Sequence, residues 1–286
     1  MKNNLLLCCD LDRTLIPNGT ALESSGARTL FTTLANQSNL TLAYVTGRDK
    51  KLVEEAIVLY NLPTPNFVIA DVGATIYEIS QSDQAKPWQA WDHWQARFSD
   101  DWQDKISTDI ALLFTDLTAL KIQERRKQKK YKLSYYLSLE NEPQTLIAVM
   151  QDRLTGKDLK TELIWSVDEA LDIGLLDVMP RQATKLHALE YLREQTHHSR
   201  KRTIFAGDSG NDLDVLLSPI QSILVANAHS EVKERVQSAL IRKKNGAAIY
   251  LAHGGFCNMN GNYSAGVLEG VHYYAPDIYQ CLEGKK

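Results

Sequence analysis

The chain has 286 residues, 44% of them hydrophobic and 23% charged, with a formal net charge of −3. This composition excludes a disordered or fibrous protein and allows two globular domains. The small net charge gives no bulk attraction to nucleic acid or an anionic membrane, and no stretch reaches the roughly 20 apolar residues of a membrane span.

The first predicted element is the buried strand "LLLCCD", a continuous apolar run rather than an alternating one. Its apolar part, Leu5 to Cys9, is too short for a signal-peptide core and ends in acids, so it reads as a strand and not a leader. A helix follows at "SSGARTLFTTLANQ", a second buried strand at "LTLAYVTGR", a helix at "KKLVEEAIVLYNL" stopped by Pro63, and a third strand at "PNFVIADVG" ending at Gly73. Strand, helix, strand, helix, strand predicts right-handed crossovers and a parallel sheet covered on both faces. From about Gln81 to Asp177 the composition shifts, and all five tryptophans lie there: Trp88, Trp91, Trp94, Trp102 and Trp165. The order becomes helices ("WQAWDHWQARF", "WQDKISTDIALLFTDL"), a strand ("YKLSYYLSL"), a helix ("PQTLIAVMQDRL") and two strands ("KTELIWSV", "LDIGLLDVMP"). This predicts an α+β unit over residues 81–177, inserted into an α/β core formed by 1–80 and 178–286. The core rhythm then resumes with a helix at "TKLHALEYLREQ", strands at "RTIFAGDSG" and "SILVANA", and helices at "DLDVLLS" and "SEVKERVQSAL". The tail carries the loop "HGGFCNMNGNYSAG" and a helix at "VLEGVHYY". The four cysteines, Cys8, Cys9, Cys257 and Cys281, lack the paired spacing of a zinc site or a disulfide framework, which suits a reducing cytoplasm.

The fold class is therefore α/β, a doubly wound parallel sheet with an inserted α+β domain. In such a sheet ligands bind at the carboxyl ends of the strands. The first strand delivers Asp10 and Asp12 there, the second Thr46, Gly47 and Arg48, and the strand "TIFAG" delivers Asp208, Ser209, Gly210, Asn211 and Asp212. Lys185 opens the helix after the insertion. These types fit phosphoryl transfer. Asp10 can serve as nucleophile. Asp12, two residues on, can reach the leaving oxygen as acid and then base. Crowded acids call for a hard cation, and Mg²⁺ suits Asp10, the Asp12 carbonyl, Asp208 and Asp212. Thr46 and nearby amides can bind phosphoryl oxygens. Lys185 can neutralise charge that spreads over them. Asn211 and Asp212 would orient the metal shell and Lys185.

The stretches "DLDRT", "VTGR", the lysine of "RQATKLHAL" and "GDSGND" resemble, in order, the four motifs of the haloacid dehalogenase superfamily of phosphatases. The insertion looks like the cap of its type IIB branch. Within that branch the chain is most similar to the sucrose-6-phosphate phosphatases, through "LAYVTGR", "GDSGNDLDVL", "NAHSE" and "NGNYSAGVLEG". The resemblance covers essentially the whole chain. It implies a Rossmann-like core, an Asp nucleophile, an Asp acid/base, Mg²⁺, and a cap that closes over a sugar phosphate such as sucrose 6-phosphate. Association with a sugar-phosphate synthase goes with the same resemblance. Leu186 stands where the family often has glycine after the lysine. The motifs leave other substrates open: mannosylfructose, glucosylglycerol or mannosylglycerate phosphate, or a phosphosugar mutase reaction. A phospho-receiver domain shares the acids, Thr and Lys, but has neither the insertion nor an acid two residues after the nucleophile. A sugar-phosphate-binding protein without catalysis would not need the full motif set.

Outside the motifs, Cys8 and Cys9 read as small core residues, because the acids beside them oppose a thiolate. Trp88, Trp91 and Trp94 recur at spacing three and read as one buried helix face rather than sugar contacts. The basic run "KIQERRKQKKYK" reads as a solvated loop. Its last lysine, Lys132, is the exception: it opens a strand, and the resemblance makes it a substrate contact.

Overall fold

The computed structural model describes residues 4–80, 87–168, 171–242 and 248–283, with side chains to residue 279. Gln81, where the composition shift begins, lies outside the described residues, as does the side chain of Cys281.

The larger sheet is built on β1 (Leu5–Cys9), which is buried along its whole length. In chain order its strands continue with β2 (Leu40–Val45), β3 (Phe67–Ala70), β4 (Thr75–Ile79) and β5 (Trp88–Ala90). A smaller sheet contains β6 (Lys121–Ile122), β7 (Leu133–Leu137), β8 (Thr161–Asp168) and β9 (Ile173–Pro180). The larger one is completed by β10 (Thr203–Gly207), β11 (Gln221–Leu224) and β12 (Ala248–Leu251). Spatial order is β12-β11-β10-β1-β2-β3-β4-β5 in the larger sheet and β6-β7-β9-β8 in the smaller. From β12 to β3 every pairing is parallel, so the carboxyl ends of β1, β2 and β10 share one edge. The smaller sheet is antiparallel throughout.

Alternation along β1 sends successive side chains to opposite faces. Leu5, Leu7 and Cys9 pack with Phe31 and Leu34 of α1 (Ala27–Ala35) and with Val267 and Leu268 near the carboxyl end of the chain. Leu6 and Cys8 pack on the other face, with Leu189, Leu192 and Val236. Helices thus cover both faces, which is why the core strands are apolar runs rather than alternating ones. The sheet is Rossmann-like and doubly wound, as expected. The two adjacent cysteines are both 0% exposed. Burial pushes both thiols well above their ordinary range, which removes them as nucleophiles.

The insertion region differs locally from its sequence reading. The third strand does not end the edge of the sheet. Asp71, Val72 and Gly73 all take positive φ, the chain reverses, and β4 returns antiparallel to β3, with β5 antiparallel to β4. Trp88 therefore lies on a strand, its ring 5.6 Å from that of Tyr77, and only a short helix follows, Asp92–Gln95. Of the three tryptophans at spacing three, Trp94 alone is a core residue, 1% exposed, donating Nε1 to the Gly73 carbonyl at 2.9 Å. The expected long helix "WQDKISTDIALLFTDL" is broken at Gln103 and Asp104, both at positive φ. Among the described residues no helix is long and apolar enough to cross a membrane.

Candidate active site

The edge shared by β1, β2 and β10 gathers the residues that the sequence separates. Asp10 follows β1 directly and its amide donates to Ala206 O of β10 at 2.9 Å. Lys185 is the first residue of the helix Lys185–Gln195, whose N-cap Thr184 accepts from the His187 amide. That start aims the lysine at the acids. Its Nζ lies 3.1 Å from Asp10 Oδ1, 2.7 Å from Asp212 Oδ1 and 2.7 Å from Asn211 Oδ1. Lys185 is 1% exposed. Burial alone would lower its pKa, but the charges and hydrogen bonds of Asp10 and Asp212 outweigh that and raise it. It stays a cation.

Asp212 uses its second oxygen locally: Oδ2 accepts the amides of Asp208 and Ser209, both at 3.0 Å. It therefore shapes the turn after β10 while gripping Lys185. Asp208 receives Thr14 Oγ1 on Oδ1 at 3.2 Å. Its Oδ2 is buried without a hydrogen bond, with Arg13 Nε 3.3 Å away as an ion-pair partner. Burial, followed by repulsion from Asp10 and Asp212, drives the Asp208 pKa upward. Asp10 is pushed up to about 7, first by burial, with Lys185 opposing and Asp212 and Asp12 adding repulsion.

Three buried carboxylates, Asp10, Asp208 and Asp212, thus offer oxygens all within 4.8 Å of one another. The excess of buried negative charge over Lys185, together with the hydrogen-bond-free oxygen of Asp208, is the donor set a small hard cation fits. The Asp12 carboxylate stands outside this cluster, which leaves its main-chain carbonyl as the expected contribution to a cation. Arg48 Nε and Nη2 donate to its Oδ2 and Oδ1 at 2.8 and 2.6 Å, and Asn18 Nδ2 donates to Oδ1 at 2.7 Å. Burial raises the Asp12 pKa, but these donors more than reverse it and hold the carboxyl below its usual range.

Thr46 is fully buried and its Oγ1 accepts the Arg48 amide at 3.2 Å, so it supports the turn that carries Arg48. Gly47, Arg48 and Asn211 line an open cleft with Asp10, Asp12 and Asp208. Arg126, Lys127, Val167 and Asp168, from the segment that carries the smaller sheet, also line the cleft. Lys132 is not brought to the cleft. It is buried in the small sheet, its Nζ 3.5 Å from Asp177 Oδ2, and Ser134 hydrogen-bonds the same carboxylate. Sequence reasoning also passed over Arg13, Thr14 and Asn18. They sit within or just after "DLDRT", so a reading of every polar residue in that stretch, beyond its acids, would have found them.

A family model described as sucrose-6F-phosphate phosphohydrolase matches residues 3–275. A HAD-like hydrolase of Nitrosococcus oceani is 47% identical over 285 residues, 99% of this chain and 75% of that protein. Sucrose-phosphatase 1 of Nicotiana tabacum is 30% identical over 233 residues, 80% of this chain, which spans 51% of the tobacco protein's length. The fold is similar to that of the sucrose-phosphatase of Synechocystis sp. PCC6803, solved with sucrose and phosphate. The TM-score is 0.76 at 24% identity, with 96% of this chain and 98% of that one covered.

Proposed function

The chain belongs to the sucrose-6F-phosphate phosphohydrolase family of haloacid dehalogenase-type phosphatases, and on that premise we propose that it hydrolyses a glycosyl phosphate, sucrose 6-phosphate foremost, through an aspartyl phosphate on Asp10. The observation that carries the reading is the convergence on Asp10 of Lys185, at 3.1 Å, and of two further buried carboxylates. A carboxylate held this way, with one oxygen fixed, presents the other to an incoming phosphoryl group.

Asp10 attacks phosphorus and the bond from phosphorus to the sugar oxygen breaks. Asp12 gives its proton to that oxygen, and sugar leaves. Asp12, now a carboxylate, takes a proton from water, the water oxygen attacks phosphorus, and the bond to Asp10 breaks to release phosphate. Arg48 holds Asp12 as the carboxylate that the second step requires, so for the first step Asp12 must take up a proton from solvent and loosen its contact with Arg48 as substrate binds. Lys185 and Asn211 would face the phosphoryl oxygens, and the turn braced by Thr46 would offer them the Gly47 amide, the Arg48 amide being held by Thr46 Oγ1. Asp10, Asp208 and the Asp12 main-chain carbonyl would hold Mg²⁺, and Asp212 would serve it chiefly by fixing Lys185. When bound, the cation offsets the charge of the acids and of the phosphoryl group.

The smaller sheet and the helices that pack on it would act as the cap that closes over the sugar, whereas Trp88–Ala90, inside the expected 81–177 insertion, pairs with the larger sheet and β9 runs on to Pro180. A reducing cytoplasm suits the free thiols of Cys8, Cys9 and Cys257. The test is a panel of phosphosugars with and without Mg²⁺, containing sucrose 6-phosphate, mannosylfructose phosphate, glucosylglycerol phosphate and simple hexose phosphates. The expected result is the highest kcat/KM for sucrose 6-phosphate and none without the cation. Equal turnover of hexose phosphates would remove the substrate assignment.

A further inference from the structure

We propose that Asn227 is a positioning residue for the cation site, acting through the Arg13–Thr14 peptide on Asp208; the proposal rests on the reading of Asp208 as a cation ligand. Asn227 lies in the loop after β11, at the start of "NAHSE". The two oxygens of Asp208 are met by consecutive residues: Thr14 Oγ1 donates to Oδ1 at 3.2 Å, and Arg13 Nε is 3.3 Å from Oδ2. The orientation of the peptide that joins those two residues therefore decides where both contacts fall.

Asn227 holds that peptide. Its Nδ2 donates to the Arg13 carbonyl at 2.7 Å, and Arg13 Nη2 returns a bond to the Asn227 carbonyl at 3.3 Å. The tether is needed, because Arg13 has φ +59, a left-handed conformation that costs energy for a residue with a side chain. The amide is itself locked from behind. Asn227 Oδ1 accepts the Tyr263 amide at 2.7 Å. Tyr263 is fully buried with φ 51 and ψ −134, a second costly backbone, and its hydroxyl donates to Ala21 O at 3.1 Å.

The segment that presents Tyr263 is clamped in turn. The buried carboxylate of Glu269 accepts the amides of His253 and Gly254 at 3.1 and 2.9 Å. Asn260 and Asn262 both donate to Leu22 O, at 2.8 and 3.0 Å. Asn227 thus needs one donor and one acceptor, each facing a fixed main-chain partner. Only an amide of this length supplies both. A carboxylate in its place would keep the Tyr263 bond and turn a second acceptor toward the Arg13 carbonyl. Partners that orient a metal ligand from outside the coordination shell are commonly worth 10–100-fold in metal affinity.

The experiment titrates Mg²⁺ into the full chain by calorimetry, without substrate, for the parent, Asn227→Asp, Asn227→Ala and Thr14→Val, with circular dichroism and Tm recorded for each. Asn227→Asp and Thr14→Val should each weaken Mg²⁺ binding about tenfold while keeping a cooperative melt. The aspartate variant should fail to rescue the alanine one, because the lost donor is what matters. A Mg²⁺ affinity within twofold of the parent in folded Asn227→Asp or in Thr14→Val overturns the proposal. If the Asn227 variants do not fold, Thr14→Val decides alone. Asp208→Asn, run alongside, separates the premise from the proposal: if it binds Mg²⁺ like the parent, the reading of Asp208 as a ligand is what has failed.

Discussion

Arg48 and Asp12 face each other through two parallel hydrogen bonds, Nε to Oδ2 at 2.8 Å and Nη2 to Oδ1 at 2.6 Å. The planar guanidinium fixes both the charge state and the direction of the carboxylate, which a lysine ammonium cannot do. With Arg48 gone, burial is the dominant influence left on Asp12 and its pKa moves up. Arg48→Ala should therefore shift the Asp12 limb of the pH–rate profile to higher pH and lower kcat on the order of tenfold. Arg48→Lys should restore the charge without restoring kcat. An Arg48→Lys enzyme with parent kcat would show that the fork geometry is irrelevant.

The raised pKa of Asp10 gives a stability signature without substrate. In the cation-free protein its carboxyl titrates at about 7, against about 3.9 in an unfolded chain. The folded state thus holds a proton that the unfolded state has released. By linkage, its contribution to stability is full at low pH and is lost as pH rises through 7. The cation-free protein should melt at a lower temperature at pH 8 than at pH 6, and Asp10→Asn should flatten that difference. Mg²⁺ should raise Tm more at pH 8 than at pH 6. An equal rise at both pH values would contradict the assignment.

Lys185 is the countercharge for two buried acids, 3.1 Å from Asp10 and 2.7 Å from Asp212. Removing one partner of a buried ion cluster leaves uncompensated charge and costs about 3–5 kcal/mol. Lys185→Met should lose phosphatase turnover and unfold at markedly lower urea concentration, with the m-value unchanged. Pairing it with Asp212→Asn should recover part of the stability and none of the activity.

The parts of this site that are legible in the sequence are those where residue type and chemistry coincide locally. Asp10, Asp12 and the acids after β10 announce themselves because an apolar strand ends in charge. Asn227 and Thr14 act by holding a main-chain carbonyl and a carboxylate from 214 and 194 residues away in sequence; both stand in quoted motif stretches, but nothing local shows which distant group each one holds. Strands β4 and β5 were hidden because the reversal at 71–73 uses positive φ at Asp71 and Val72, where only Gly73 is a turn signal. Lys132 reads as a substrate contact through the resemblance, at the start of a strand. The structure answers its charge with Asp177 instead of the cleft.

Gly73 has a role that no motif records. Its φ is +110, and a Cβ there would lie 2.4 Å from the carbonyl carbon and oxygen of Thr184. The backbone of the reversal thus lies directly against the start of the helix that presents Lys185. Neither partner can yield, since both are main chain. Gly73→Ala should cost on the order of 1–3 kcal/mol, read by urea unfolding, and should lower kcat by displacing Lys185. Gly26→Ala is the control: its φ is also positive, but no atom lies within 4 Å of the added methyl group, so it should lose stability and leave kcat alone.

Arg126 and Lys127 line the same cleft as Asp10, and they differ in commitment. Lys127 donates to the Tyr136 hydroxyl at 3.1 Å and lies 3.8 Å from Glu124 Oε2, so it helps to hold the loop. Arg126 is exposed in the same cleft. A cation there would attract an anionic substrate before the chemistry begins, and among the described residues it makes no hydrogen bond to Asp10, Asp12 or Lys185. Its removal should act on capture rather than on the bond-breaking step. Arg126→Ala should raise KM about threefold to tenfold and leave kcat within twofold, the pattern of lost uniform binding. Because the interaction is solvent-exposed, the effect should shrink as ionic strength rises and the screening length falls below about 8 Å. A fall in kcat at unchanged KM, insensitive to salt, would instead place Arg126 against the transition state.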